Sequence, residues 1–188
     1  MIIFYALLLA VILLIGWVVA QYNSIITLRN LVTNGWKQID VQLKRRHDLI
    51  PNLVSTVKGQ MQFEQETLEK VIQARNAAIS AKGVADSAAK EDLLSSTLTK
   101  LFALVENYPT LKSNENVKQL QEELTSTENK ISFARQFYND IATKFNIAQQ
   151  VFPANFIASM FNFKAAELFE IQTAAEREVP TVDLSLKK

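Results

Sequence analysis

Apolar residues recur along this chain at intervals of three and four. After an unbroken apolar run at 2–20 they fall at Ile25, Leu28, Val32, Trp36, Ile39 and Leu43, then at Ile50, Leu53, Val57, Met61, Leu68, Ile72 and Ile79. This is the period of a helix with one buried face, and it predicts one long helix, with room for an interruption, running to about Lys82. Gly83, in KGVADS, reads as its C-cap, and Asp86 or Ser87 as the N-cap of a second helix. That helix carries Leu94, Leu98, Leu101 and Val105 on its apolar face. It stops ahead of Tyr108 and Pro109, because the residue before a proline is driven out of helical geometry. Asn114 caps a third helix, whose seam is the most regular in the chain: Val117, Leu120, Leu124, Thr127, Ile131, Ala134, Tyr138, Ile141, Phe145 and Ala148. A sustained seam of this kind is core, buried against other helices. Pro153 opens a further short helix, and Pro180 with TVDLSLKK reads as a tail.

The pattern describes an all-α protein: an N-terminal transmembrane helix continuing into an antiparallel helical bundle with long coiled-coil-like helices. The expected divisions are an anchor at 2–20, a juxtamembrane helix at 21–35, the bundle at 36–178 and a C-terminal tail at 179–188. Helices of about 70, 30 and 50 Å follow from these spans, so the C-terminal helix has to cover what the second leaves bare.

The run IIFYALLLAVILLIGWVVA at 2–20 has no charged side chain. Its length, at about 1.5 Å per residue, matches the roughly 30 Å hydrocarbon core of a bilayer, so the lipid bilayer is the first expected partner. Trp17 and Tyr22 sit near its end, where amphipathic rings favour headgroups. A cleaved signal peptide is the competing reading, because Val18, Val19 and Ala20 are small. Against it, the basic n-region is missing and the run exceeds the usual signal core. No Lys or Arg precedes the run while Arg29 and Lys37 follow it, which predicts the N-terminus outside and the bundle in the cytoplasm. Gly16 and Ala20 form a small-residue pair able to support helix pairing in lipid, although lipid-facing filler is the simpler reading.

Composition narrows the chemistry. With a formal charge of +1, no global field draws the chain to nucleic acid. There is no cysteine, hence no disulfide, thiolate catalysis or thioether anchor. Only four glycines and four prolines occur, and no hairpin signal separates alternating runs, which disfavours sheet. His47 is the single histidine; it reads as an exposed side chain, and one histidine builds neither a two-histidine metal site nor a usual triad. Glu115, Glu122, Glu123 and Glu128 are spaced as a solvated helix face, and no phosphate-binding loop or nucleophile elbow is present. No cofactor and no enzymatic activity are expected.

Two residues of WKQIDVQLKRRHDLIPNLVSTVKG break the helical pattern. Arg46 falls on the seam of Ile39, Leu43, Ile50 and Leu53, where an unpaired charge is costly; Glu128, beside Thr127 on the third helix, is the expected partner. Pro51 lacks an N–H and clashes with the carbonyl of His47, so it is expected to kink the helix, with Asp48 and Asn52 bonding the freed backbone groups locally. Together they read as a device fixing register and bend; a peptide-binding notch at the kink is the alternative. The basic cluster stands about 37 Å beyond the anchor along a straight helix, out of reach of lipid charge. Eight of the eleven phenylalanines lie from Phe133 onward, as an aromatic plug at the bundle's end or, alternatively, a ligand groove.

The segment IDVQLKRRHDLIPNLVSTVKG closely resembles the signature of the LemA family of bacterial membrane-anchored proteins, as do VENYPTLKSN, STENKISFARQFYNDIATKFN and FPANF in the same order. The likeness covers most of the chain from Tyr22 to Phe163. It implies an all-helical antiparallel bundle on one anchor in the bacterial cell membrane, often with its body in the cytoplasm. It picks out Arg46, Asp48, Pro51 and Asn52 in the first block and Glu128, Arg135, Tyr138, Asn139 and Asn146 in the third. The family has no established enzymatic activity. The expected function is a structural or interaction module for other membrane or envelope proteins, with self-association in view. An exported bundle binding an envelope ligand at the outer face is the alternative, and an enzyme the third.

Overall fold

Helix α1, Ile2–Lys58, is one uninterrupted helix of 57 residues, about 85 Å long, with no break at 20, 35 or Pro51. The computed structural model describes residues 1–59 and 64–170. Met61, Pro180, the expected tail at 179–188 and the last part of the expected bundle, 171–178, lie outside the described residues. After α1 come α2 (Gln65–Ile79), α3 (Val84–Val105), the single turn α4 (Pro109–Lys112), α5 (Glu115–Gln150) and α6 (Ala154–Met160); no strand occurs among the described residues.

The expected single helix to Lys82 is therefore two, because α1 ends at Gly59. The interruption resets the helical phase: α2 buries Leu68, Val71, Ala74 and Ala78, whereas Ile79, on the stripe continued from α1, is exposed. Gly83 does not cap α2, which closes at Ser80; it opens α3 instead, with φ 82° and ψ 176°. Only glycine visits that region readily. Asp86 accepts from the backbone N–H of Lys82 at 2.8 Å, tying the turn to the first turn of α3. Asn114 caps α5 as expected, its side-chain oxygen accepting from the N–H of Asn116 at 2.9 Å and of Val117 at 3.3 Å.

The topology is up-down-up-down. Arg75 of α2 meets His47, Glu91 of α3 meets Arg46, and along α5 the partners of α1 run backwards, Glu128 to Arg46, Tyr138 to Gly35 and Phe145 to Ile25. Far from the apolar N-terminus, α1, α2, α3 and α5 enclose one core that includes Ile50, Leu53, Val71, Leu98, Leu101 and Leu124. Nearer to it α2 drops out of the core, and α3 contributes only its first turns, through Val84 and Ala88. There α1 and α5 are closed by α6 and by an extended strap, residues 163–170, around Ile39, Ile131, Tyr138 and Phe169, then around Ile25, Phe145 and Ala158. Cores of this kind supply the driving force, about 25 cal/mol per Å² of apolar surface buried. The stretch 2–20 holds no buried residue, with only Trp17 and Val18 half-buried, and is long and apolar enough to cross a membrane.

Candidate functional site

Arg46 stands between Leu43 and Ile50 on the buried stripe of α1 and is 1% exposed. Its guanidinium donates to the carboxylates of Glu91 on α3 and Glu128 on α5, and to Ser95 Oγ at 2.9 Å. The expected Arg46–Glu128 pair is present, joined by a second carboxylate that periodicity had not singled out. Glu91 gives its other oxygen to His47, 2.7 Å from Nε2. Burial pushes the Glu91 carboxyl up, but the hydrogen bond from His47 and the charge and hydrogen bond of Arg46 outweigh it and hold the group below the usual glutamate range. An ionised carboxylate only accepts, so His47 carries its proton on Nε2. His47 is thus not the exposed histidine expected; it is 8% exposed, because α3 places Glu91 against it. This polar layer separates the two larger apolar cores.

Pro51 leaves the carbonyl of His47 without its helical donor. Arg75 of α2 supplies one: its Nε donates to His47 O at 2.6 Å. The expectation that Asp48 and Asn52 would do this is corrected. Asp48 pairs with Lys44 Nζ at 2.7 Å, which lowers its pKa, and Asn52 contributes its backbone carbonyl, accepting from Ser55 Oγ and Thr56 Oγ1 at 2.9 and 2.7 Å.

The four remaining residues singled out on α5 form a second site. Asn139 donates to Phe169 O at 3.0 Å and accepts from Phe169 N–H at 2.8 Å; Asn146, two turns on, makes the same pair with Ala166 at 2.9 and 2.8 Å. Each amide reads a backbone N–H and C=O as a neighbouring strand would. Between them Tyr138 donates to Glu167 O at 2.8 Å, its phenol pKa raised by burial and by the Glu167 charge. Arg135 reaches Asp92 of α3 at 3.1 Å and lies 4.3 Å over the Phe169 ring. These side chains clamp the strap, which fills the space that α2 and α3 leave open.

Both sites are internal, and the surface offers something different. The phenylalanines do not form one plug: Phe145 and Phe169 are buried, whereas Phe133 and Phe137 project from α5 into solvent. With Val41 of α1 they line a shallow groove of ≈ 600 Å³ edged by Lys37 and Lys130. Among the described residues, no three His, Asp or Glu side chains gather as a metal-holding group.

Comparison with known proteins matches these features to a family. Magnetosome protein MamQ 2 of Paramagnetospirillum magneticum is 25% identical over 202 residues, covering 94% of this chain and 74% of its own. Magnetosome protein MamQ of Magnetospirillum gryphiswaldense is 24% identical, covering 86% and 69%. Protein LemA of Metamycoplasma hominis is 26% identical, covering 88% and 76%. The LemA family profile matches residues 35–184, a stretch that contains the polar layer and the strap clamp; the chain belongs to the LemA family, as a membrane-associated, all-helical member.

Proposed function

We propose that this chain is a non-enzymatic, single-pass membrane protein whose bundle is a docking module for other membrane or envelope proteins, a second copy among them. The observation that carries this reading is the groove between α1 and α5. Phe133 and Phe137, one turn apart, are 72% and 45% exposed, and Val41 opposite them is 62% exposed. Exposed apolar clusters with a polar rim are characteristic of protein contact surfaces. The residues singled out by family resemblance support the surface from within: Arg46 and Glu128 set the register of α1 against α5, and Arg135, Tyr138, Asn139 and Asn146 hold the opposite side closed.

A photoreactive phenylalanine analogue at Phe133 or Phe137, illuminated in intact cells, tests this. Discrete adducts are expected there and not at Ser96, which is exposed on α3. An adduct of twice the chain's mass identifies a second copy; other masses identify another membrane or envelope protein. No adduct at either phenylalanine, or the same adducts at Ser96, overturns the reading.

In the same proposal residues 2–20 span the bilayer, with the N-terminus outside and the bundle in the cytoplasm, supported by Arg29 and Lys37 following the apolar run. The chain has no cysteine, so Gln119→Cys at the far end of the bundle reports alone. A membrane-impermeant maleimide should label it only after permeabilisation. Labelling in intact cells places the bundle outside and favours the envelope-ligand alternative.

A further inference from the structure

We infer that α6 and the turn leading into it form a foot that lies on the bilayer surface beside the point where α1 emerges. The inference rests on residues 2–20 spanning the membrane, and three observations carry it.

The first is height. Tyr22 packs against Phe161 and Phe163, with ring centroids 4.6 and 5.9 Å away, and Ile25 is buried with Phe145 and Ala158. At 1.5 Å per residue, Tyr22 and Ile25 stand about 3 and 7 Å past the end of the apolar run. The polar headgroup zone extends about 5–8 Å beyond each side of the hydrocarbon core. The helix packed on Tyr22 and Ile25 is therefore at headgroup depth. The reversed register of α5 agrees, since its last turn comes down to the same level.

The second is exposure. Phe156 and Met160 of α6 are 65% and 76% exposed, and Phe152 and Phe161 flanking it 79% and 49%, while Ala154, Ile157 and Ala158 of the helix are buried against the bundle. One face of α6 thus holds the fold together, and the other presents large apolar groups that, Phe161 beside Tyr22 apart, are left largely uncovered by the described residues. A patch of that kind in water is an aggregation liability.

The third is charge. From Phe145 through Phe163 there is no charged residue, and in α1 none occurs before Arg29. At the edges of this neutral zone stand Lys144, Lys164 and Arg29, all exposed. Aromatic and aliphatic side chains inward with lysine and arginine at the rim is the distribution that anchors a segment in the interface, where the cations reach phosphates. The contact is continuous with the span, so the bilayer covers the patch without a further partner.

Site-directed spin labelling of the full chain tests this in vesicles of phosphatidylethanolamine and phosphatidylglycerol. Single cysteines at Phe156, Met160, Leu9 and Gln119 each carry a nitroxide, and collisions with oxygen and with a water-soluble nickel chelate are compared. Phe156→Cys and Met160→Cys should show an oxygen-to-nickel ratio several-fold above that of Gln119→Cys, approaching that of Leu9→Cys. If Leu9 reports lipid while positions 156 and 160 match Gln119, the foot is wrong and the span stands. If positions 156 and 160 are shielded from both reagents, protein covers the patch and the inference fails. If Leu9 itself reports water, the spanning segment and the foot both fall. Unchanged helical circular dichroism in each variant verifies the fold.

Discussion

Arg46 occupies a position where the helical period calls for an aliphatic side chain, and its tolerance depends on three helices meeting there. Arg46→Ala leaves Glu91 buried without its counter-charge, and breaking a buried pair in this way costs about 3–5 kcal/mol. A urea titration checks it; a shift below about 1 kcal/mol, typical of an exposed pair, would count against a buried layer. Glu91 also makes the layer sensitive to acid. Its folded pKa lies below the unfolded value, so the unfolded chain takes up the proton more readily. The stabilisation is complete above the ordinary glutamate range, about pH 4.3, and is lost as pH falls through the folded value. Glu91→Gln should be less stable at neutral pH yet show a flatter decline between pH 5 and 3, read from urea midpoints in that window. Pro51 and Arg75 form a second unit. Arg75→Ala should cost about 1.5–3 kcal/mol by stranding the His47 carbonyl, and much less in a Pro51→Ala background, where a backbone N–H returns. Additive effects in that double-mutant cycle would show that the carbonyl had found water instead. The Arg46–Glu128 pair was legible because each residue sits on or beside a seam. Glu91 was legible in principle, since it precedes Leu94, Leu98 and Leu101 at the same spacing; a charged residue there simply reads as surface. Burial of His47 was not, because it depends on which helix lies alongside.

Helices were the most readable elements, and their interruptions the least. The seam of α5 and its Asn114 cap follow directly from residue spacing and cap chemistry. The end of α1 at Gly59 does not, because apolar residues continue across it at nearly helical intervals and Pro51, the stronger breaker, is accommodated. The strap at 163–170 was invisible for another reason: it has no period of its own and is held by side chains far away in sequence. Asn139→Asp and Asn146→Asp each keep the acceptor but turn a donor into a second acceptor facing a carbonyl. Each should weaken the strap by about 1–3 kcal/mol, measured as faster amide hydrogen exchange at Phe169 and Ala166 respectively, with exchange at Leu98 and Leu101 in the distant core unchanged. Uniform acceleration across the bundle would mean that strap and core unfold as one unit.

At the scale of the whole molecule, α1 and α5 form the spine and everything else is packed onto it. They come close at Gly35, where an added Cβ would stand 3.5 Å from Tyr138 Cα and 3.6 Å from its ring, an ordinary contact distance. Gly35→Ala should therefore be neutral or stabilising, by up to about 1 kcal/mol from helix propensity, whereas Gly35→Leu should part the spine and cost about 1–3 kcal/mol. Thermal melts of the two variants separate these outcomes, and equal destabilisation by both would contradict the described spacing. The all-helical, antiparallel plan was legible from period and length; the division into a four-helix end and a strapped two-helix end was not, because it follows from where the α2–α3 hairpin stops. The unbroken α1 has a mechanical consequence. About 38 residues beyond the apolar run continue as one unbroken helix of about 57 Å, which in the spanning arrangement proposed above joins lipid directly to the far end of the bundle. Transmembrane helices adjust their tilt to bilayer thickness, and through this lever a change of about 10° swings the distal end sideways by about 10 Å.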